Sequence, residues 1–202
     1  MSAIRLYGVT CQDGHGPRGT TELLAMRDLA SIIEECSYNA PAVDDTLLVR
    51  HVAVINDYFP ERPVLPAPPA TVFRSRDHVM RWMELHYVAL SEALSYVDNR
   101  VVARVHVSQL APSGQVKAGG SEIVTGGAQA LRAMRRNTVG MVPLRTDATG
   151  GVAVSAAFLV ERELWKEFSE QVAELRTQHS HLTIDVTGPW PPYDFVHMEL
   201  GR

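Results

Sequence analysis

Residues 22–39 read ELLAMRDLASIIEECSYN, and whether they form one helix or two strands decides the fold. Their apolar residues suit either a helix or two short strands joined near Arg27 and Asp28, because short apolar runs carry both periodicities. The hairpin reading is preferred. It places two antiparallel strands directly after the β-rich opening AIRLYGV (3–9) and the Gly- and Pro-containing surface loop QDGHGPRGT (12–20).

Working outward, Asp44 and Asp45 stand where an N-cap and first helical turn belong. The TLLVRHVAVINDYF stretch behind them is expected to be a helix with Leu48, Val52 and Ile55 on one face. The prolines of ERPVLPAPPATVF confine that segment to an edge or an irregular entry into a strand near Thr71 to Phe73. Ser75 caps a further helix with Val79, Met83, Tyr87, Leu90, Leu94 and Val97 in one stripe, ended by Asp98 and Asn99. RVVARVHV (100–107) is a strand. This order of elements is close to a ferredoxin-like plait.

The second half repeats the strand–helix–strand order in VAVSAAFLV (152–160), a helix at 161–178 with Leu164, Phe168, Val172 and Leu175 inward, and HLTIDV (181–186). A short helix at 128–136 and a VGMVPL strand precede it. The predicted architecture is α+β: two related ferredoxin-like domains, the second more compact, followed by a proline/aromatic tail. The boundaries are 1–110, a Gly-rich connecting loop 111–127, a modified domain 128–187, and a tail 188–202.

At 202 residues, with 46% hydrophobic and 21% charged residues, the chain is long enough for two cores and too apolar for wholesale disorder. A net charge of −4 gives no overall reason to expect a polyanion such as nucleic acid as partner. No apolar run is long enough to span a lipid membrane. Cys11 and Cys36 have no zinc-like spacing, and the opening lacks a signal-peptide core, so the expectation is a cytoplasmic, reduced protein.

No reaction centre emerges. Cys11 and His15 sit in a loop, His179 and His181 straddle an element boundary, and zinc needs three or four converging ligands. His51, His78, His86 and His106 read as structural histidines. There is no G-x-S-x-G elbow, and the glycines at 119, 120, 126 and 127 lack a following Lys-Ser/Thr. Arg132, Arg135 and Arg136 share a helical face near a C-terminus, where they complement the dipole. The expectation is no enzyme, no metal and no cofactor; a small-ligand binder or enzyme on the same scaffold is the alternative.

The sharpest feature left is TGPWPPYDFV (187–196). Proline stiffens it and removes backbone donors, so Trp190, Pro191, Pro192, Tyr193, Phe195 and Val196 form an extended apolar ribbon that must press on its own domain or on a partner. Those six are the candidate partner-binding residues.

The segment Gly188-Pro189-Trp190-Pro191-Pro192-Tyr193, followed by Phe195-Val196, resembles the ending of the gas vesicle protein F/L family. Leu6-Tyr7-Gly8, Val64-Leu65-Pro66, Thr71-Val72-Phe73 and Ala157-Phe158-Leu159-Val160 support the likeness along nearly the whole chain. Pro68-Pro69-Ala70 departs from the family's Arg-Phe-Gly-like segment, and the middle around 113–125 is short. The resemblance implies a non-enzymatic, gas vesicle associated accessory protein with two ferredoxin-like domains and no cofactor. Its implied partners are the small hydrophobic shell subunit of the vesicle and other gas vesicle accessory proteins.

Overall fold

The structure is a computed structural model that describes residues 2–37, 43–109, 121–146, 152–196 and 198. The chain forms two compact units, Met1–Asp98 with Pro191–Arg202, and Asn99–Trp190.

In the first unit, β1 (Ser2–Cys11) pairs with β3 (Leu29–Ser37), which pairs with β2 (Glu22–Met26). The hairpin reading of 22–39 holds, with Arg27 at φ 57° in the tight turn. Helix α1 (Asp45–Tyr58), β4 (Val64–Pro66), β5 (Val72–Phe73), α2 (Arg76–Leu85) and α3 (Tyr87–Val97) follow. The sheet order is β2-β3-β1-β4, with β5 also on β1. That is a ferredoxin-like order in which loop 12–21 replaces the helix between the first two strands. Gly8 is needed where β1 meets β4, since a Cβ there would stand 2.6 Å from the Leu65 carbonyl oxygen.

Both predicted caps form: Asp44 accepts from the Leu47 N–H at 2.8 Å, and Ser75 from the His78 N–H at 3.4 Å. The stripe from Val79 to Val97 packs with Ile4, Leu6 and Val9 of β1. Its helix is broken at His86 (φ −103°, ψ 10°), which divides α2 from α3. On α1 the row of Leu48, Val52 and Ile55 meets the core only at Ile55. Leu47, His51, Val54, Ile55 and Tyr58 are buried, whereas Leu48 and Val52 are exposed. The helix is apolar on two faces, and burial favours the one carrying the larger Tyr58 and His51 rings.

The second unit runs β6 (Arg100–Gln109), α4 (Ser121–Arg135), β7 (Gly140–Pro143), β8 (Val152–Glu161), a 3-10 turn (Arg162–Leu164), α5 (Trp165–Gln178) and β9 (Leu182–Trp190). The order β7-β8-β6-β9 gives the full βαββαβ plait. Two readings shift. The strand at 100–107 joins β8 and β9, so it opens this unit instead of closing the first. Helix α4 starts at Ser121, inside the expected loop 111–127; residues 111–120, with Gly119 and Gly120, lie outside the described residues. The core holds Phe158 against Phe168, ring centroids 5.9 Å apart, with Val172 and Leu175 also buried. Leu164, expected inward, is exposed in the 3-10 turn.

Candidate partner-binding groove

The six ribbon residues divide between the units. Trp190 ends β9, paired with Val102, and its indole N–H donates to Thr187 Oγ1 at 3.0 Å while the ring stays exposed. Gly188 before it has φ 137°, a backbone conformation open to glycine. From Pro191 onward the chain belongs to the first unit.

There the ribbon folds on itself. The Tyr193 N–H donates to the Pro191 carbonyl at 2.8 Å and the Phe195 N–H to the Pro192 carbonyl at 3.0 Å. Pro191 and Pro192 are buried. The Tyr193 ring lies 6.4 Å from that of His51 on α1. Val196 and Met198 pack on the core formed by β1, α2 and α3.

Phe195, Val196 and Met198 are also one wall of a groove of about 530 Å³. The other wall comes from Trp82, His86, Ala89, Leu90 and Ala93 of the α2–α3 elbow, with Leu65 of β4 between them. Ala89 and Ala93 stand one helical turn apart, and their short side chains leave the space that larger residues would fill. Trp82 is fixed by Phe73 at 5.7 Å and His86 at 5.6 Å between ring centroids. Around the break between α2 and α3, Leu85 and Val88 are exposed, at 83% and 65%. Such a surface offers burial to apolar side chains, with His86 the one ionisable residue among its described lining residues. The sequence reading reached the ribbon and missed the opposite wall. The Ala89/Ala93 step flanking the Leu90/Leu94 stripe was the available signal.

A polar cluster lies elsewhere in the first unit. Asp13 Oδ1 lies 3.1 Å from His15 Nδ1 and 3.1 Å from Nη1 of the buried Arg62. Burial, joined by the Asp13 charge, pushes the Cys11 thiol up, away from a reactive thiolate. Among the described residues no group of three or more His, Cys, Asp or Glu is arranged to hold a metal ion. No described helix is long and apolar enough to cross a membrane.

The fold and the groove define a class: tandem ferredoxin-like units, the first carrying an apolar groove lined in part by its own C-terminal ribbon. The sequence profile described as "Gas vesicle synthesis protein GvpL/GvpF" matches residues 3–116 and again 115–197. The chain belongs to this gas vesicle family. It is 22% identical over 182 residues to gas vesicle protein F2 of Halobacterium salinarum, spanning 88% of this chain and 81% of that protein. The fold is that of the crystal structure of GvpF from Anabaena, with TM-score 0.78 and 14% identity over 98% of this chain and 100% of the other. GvpF from Microcystis aeruginosa gives TM-score 0.72 and 14% identity over 97% and 99%.

Proposed function

We propose that this gas vesicle protein is an accessory factor that holds the small hydrophobic shell subunit while the vesicle wall is assembled. The observation that carries the reading is the apolar groove between the α2–α3 elbow and the ribbon, in a chain of the gas vesicle family. A shell subunit with one water-avoiding face must stay dispersed until it joins the wall. A partner that covers part of that face lowers the free concentration of the aggregating form by mass action. The groove takes up apolar side chains, and Leu85 and Val88 are further exposed apolar residues on the same two helices. The ribbon acts through Phe195 and Val196, which shape one wall, while its prolines keep that wall in place at little ordering cost.

The test is a pull-down with the shell subunit, using wild type and an Ala89→Glu variant whose fold is verified by circular dichroism. Ala89 is exposed at the groove, so a carboxylate there spoils docking without entering the core. Retention by wild type and loss by the folded variant support the reading. Equal retention moves the contact off the groove, and no retention by wild type overturns it.

A further inference from the structure

Helix α1 presents a second, independent surface. Asp45, Val49, Ala53 and Asp57 follow one another at four-residue steps on its outward face, and Leu48 and Val52 form the adjoining row; all six are exposed. Val49 reaches 70% exposure and Val52 42%, although the opposite face already supplies the core contacts through Leu47, His51, Val54, Ile55 and Tyr58. A surface helix ordinarily has one apolar stripe and a polar outer face. This one has an apolar ridge bracketed by carboxylates.

The charges point the same way. Asp57 lies in the last turn, where no basic residue accompanies it, and the helix macrodipole disfavours an acid there. Neither Asp45 nor Asp57 forms an ion pair among the described residues. Arg50, the one Lys or Arg within α1, is engaged with Glu34 at 2.9 Å and with Thr20 at 2.5 Å. Asp45 complements the dipole of the first turn, whereas Asp57 has neither the dipole nor an ion pair among the described residues in its favour.

We propose that this face docks an amphipathic helix of a protein partner whose apolar ridge is flanked at both ends by Lys or Arg. Rows at four-residue spacing are the ridges that interdigitate when helices pack. The two carboxylates are about 18 Å apart along the axis, so the partner's basic residues stand roughly twelve positions apart if it is helical and nearly aligned. A second copy of this chain is the poorer occupant, because two such faces would bring acidic ends together, and an anionic lipid surface is repelled for the same reason. The inference does not depend on the shell-subunit reading.

The test uses two labelled helical peptides with the same Leu/Ala ridge, one with Lys at both ends of the ridge and one with Glu, read by fluorescence anisotropy against the full chain. The Lys peptide is expected to bind about tenfold or more tighter, and Val49→Asp to abolish its binding. The combined Asp45→Lys and Asp57→Lys variant is expected to reverse the preference, a gain of Glu-peptide binding that misfolding would not produce. Equal binding of both peptides, binding of neither, or an unreversed preference overturns the proposal. So does a dimer in sedimentation that Val49→Asp dissolves, since the occupant is then a second copy.

Discussion

The ring of Tyr193 stands 6.4 Å from the imidazole of His51, which is itself 5.5 Å from the ring of Tyr7. The ribbon, helix α1 and the first strand are thus joined through one buried histidine.

Burial drives the His51 pKa down to about 4; the Ala67 backbone pulls it partly back up, and the charge of Arg5 lowers it further. The folded value lies below the unfolded one, so the unfolded chain binds the extra proton between about pH 6.5 and 4. Stability from neutral His51 is therefore whole above about pH 6.5 and is lost progressively as pH falls toward 4, up to about 3 kcal/mol. Urea unfolding should show a loss of about 2 kcal/mol by pH 5 from this group, and His51→Phe should flatten that part of the profile. A wild-type profile that is level from pH 7 to 5 would contradict the assignment.

Glu34 ties three elements together. The Tyr7 hydroxyl donates to its Oε2 at 2.6 Å, and Thr20 and Arg50 donate to Oε1. Burial pushes this carboxyl up but is outweighed by hydrogen bonds from Thr20, Tyr7 and Arg50, which leave its pKa lowered. Its contribution is present above about pH 4.5 and fades below that as the carboxylate protonates. Tyr7→Phe and Glu34→Gln are each expected to cost about 1–2 kcal/mol at neutral pH. A double-mutant cycle should give less than the sum, because both remove the same bond. Additive losses would show that the two groups act separately.

Gly188 is closed to any side chain. At φ 137° an added Cβ would meet the Val102 carbonyl oxygen at 2.6 Å and Trp165 Cη2 at 2.9 Å. Gly188→Ala should destabilise the second unit by about 2 kcal/mol or more. Gly16 has nothing within 4 Å of the equivalent position, so Gly16→Ala should stay within about 0.5 kcal/mol of wild type. Chemical denaturation of the two variants side by side checks the contrast.

What was legible in the sequence follows from how local each signal is. The hairpin at 22–39, the caps at Asp44 and Ser75 and the stripe from Val79 to Val97 rest on neighbours in the chain, and each was readable. The membership of the strand at 100–107 was not, because strand pairing is chosen by β8 and β9, which arrive far later. The helix at 128–136 was readable, but the first turns of α4, from Ser121, were hidden by Gly126 and Gly127, which local propensity assigns to a loop. Packing overrides that preference: a Cβ on Gly127 would come within 2.5 Å of Val154 Cγ2, so glycine lets the helix lie close on its sheet. On α1, two apolar faces make periodicity ambiguous, and the groove wall of Ala89 and Ala93 depends on a ribbon about a hundred residues further along the chain, which no local signal reports.

Val196 belongs to both the ribbon and the core, packing beside Met198 on the cluster that contains Trp82, Leu90 and Leu94. A charge there must either stay buried without a partner or pull the ribbon away from α3. Val196→Asp is expected to cost the first unit about 2 kcal/mol and to loosen the groove wall. Hydrogen exchange is the measurement that localises it. Amides of α3 should lose protection, while those of β8, which pair within the second sheet, should keep theirs. If α3 protection is unchanged, Val196 is not what anchors the ribbon against α3.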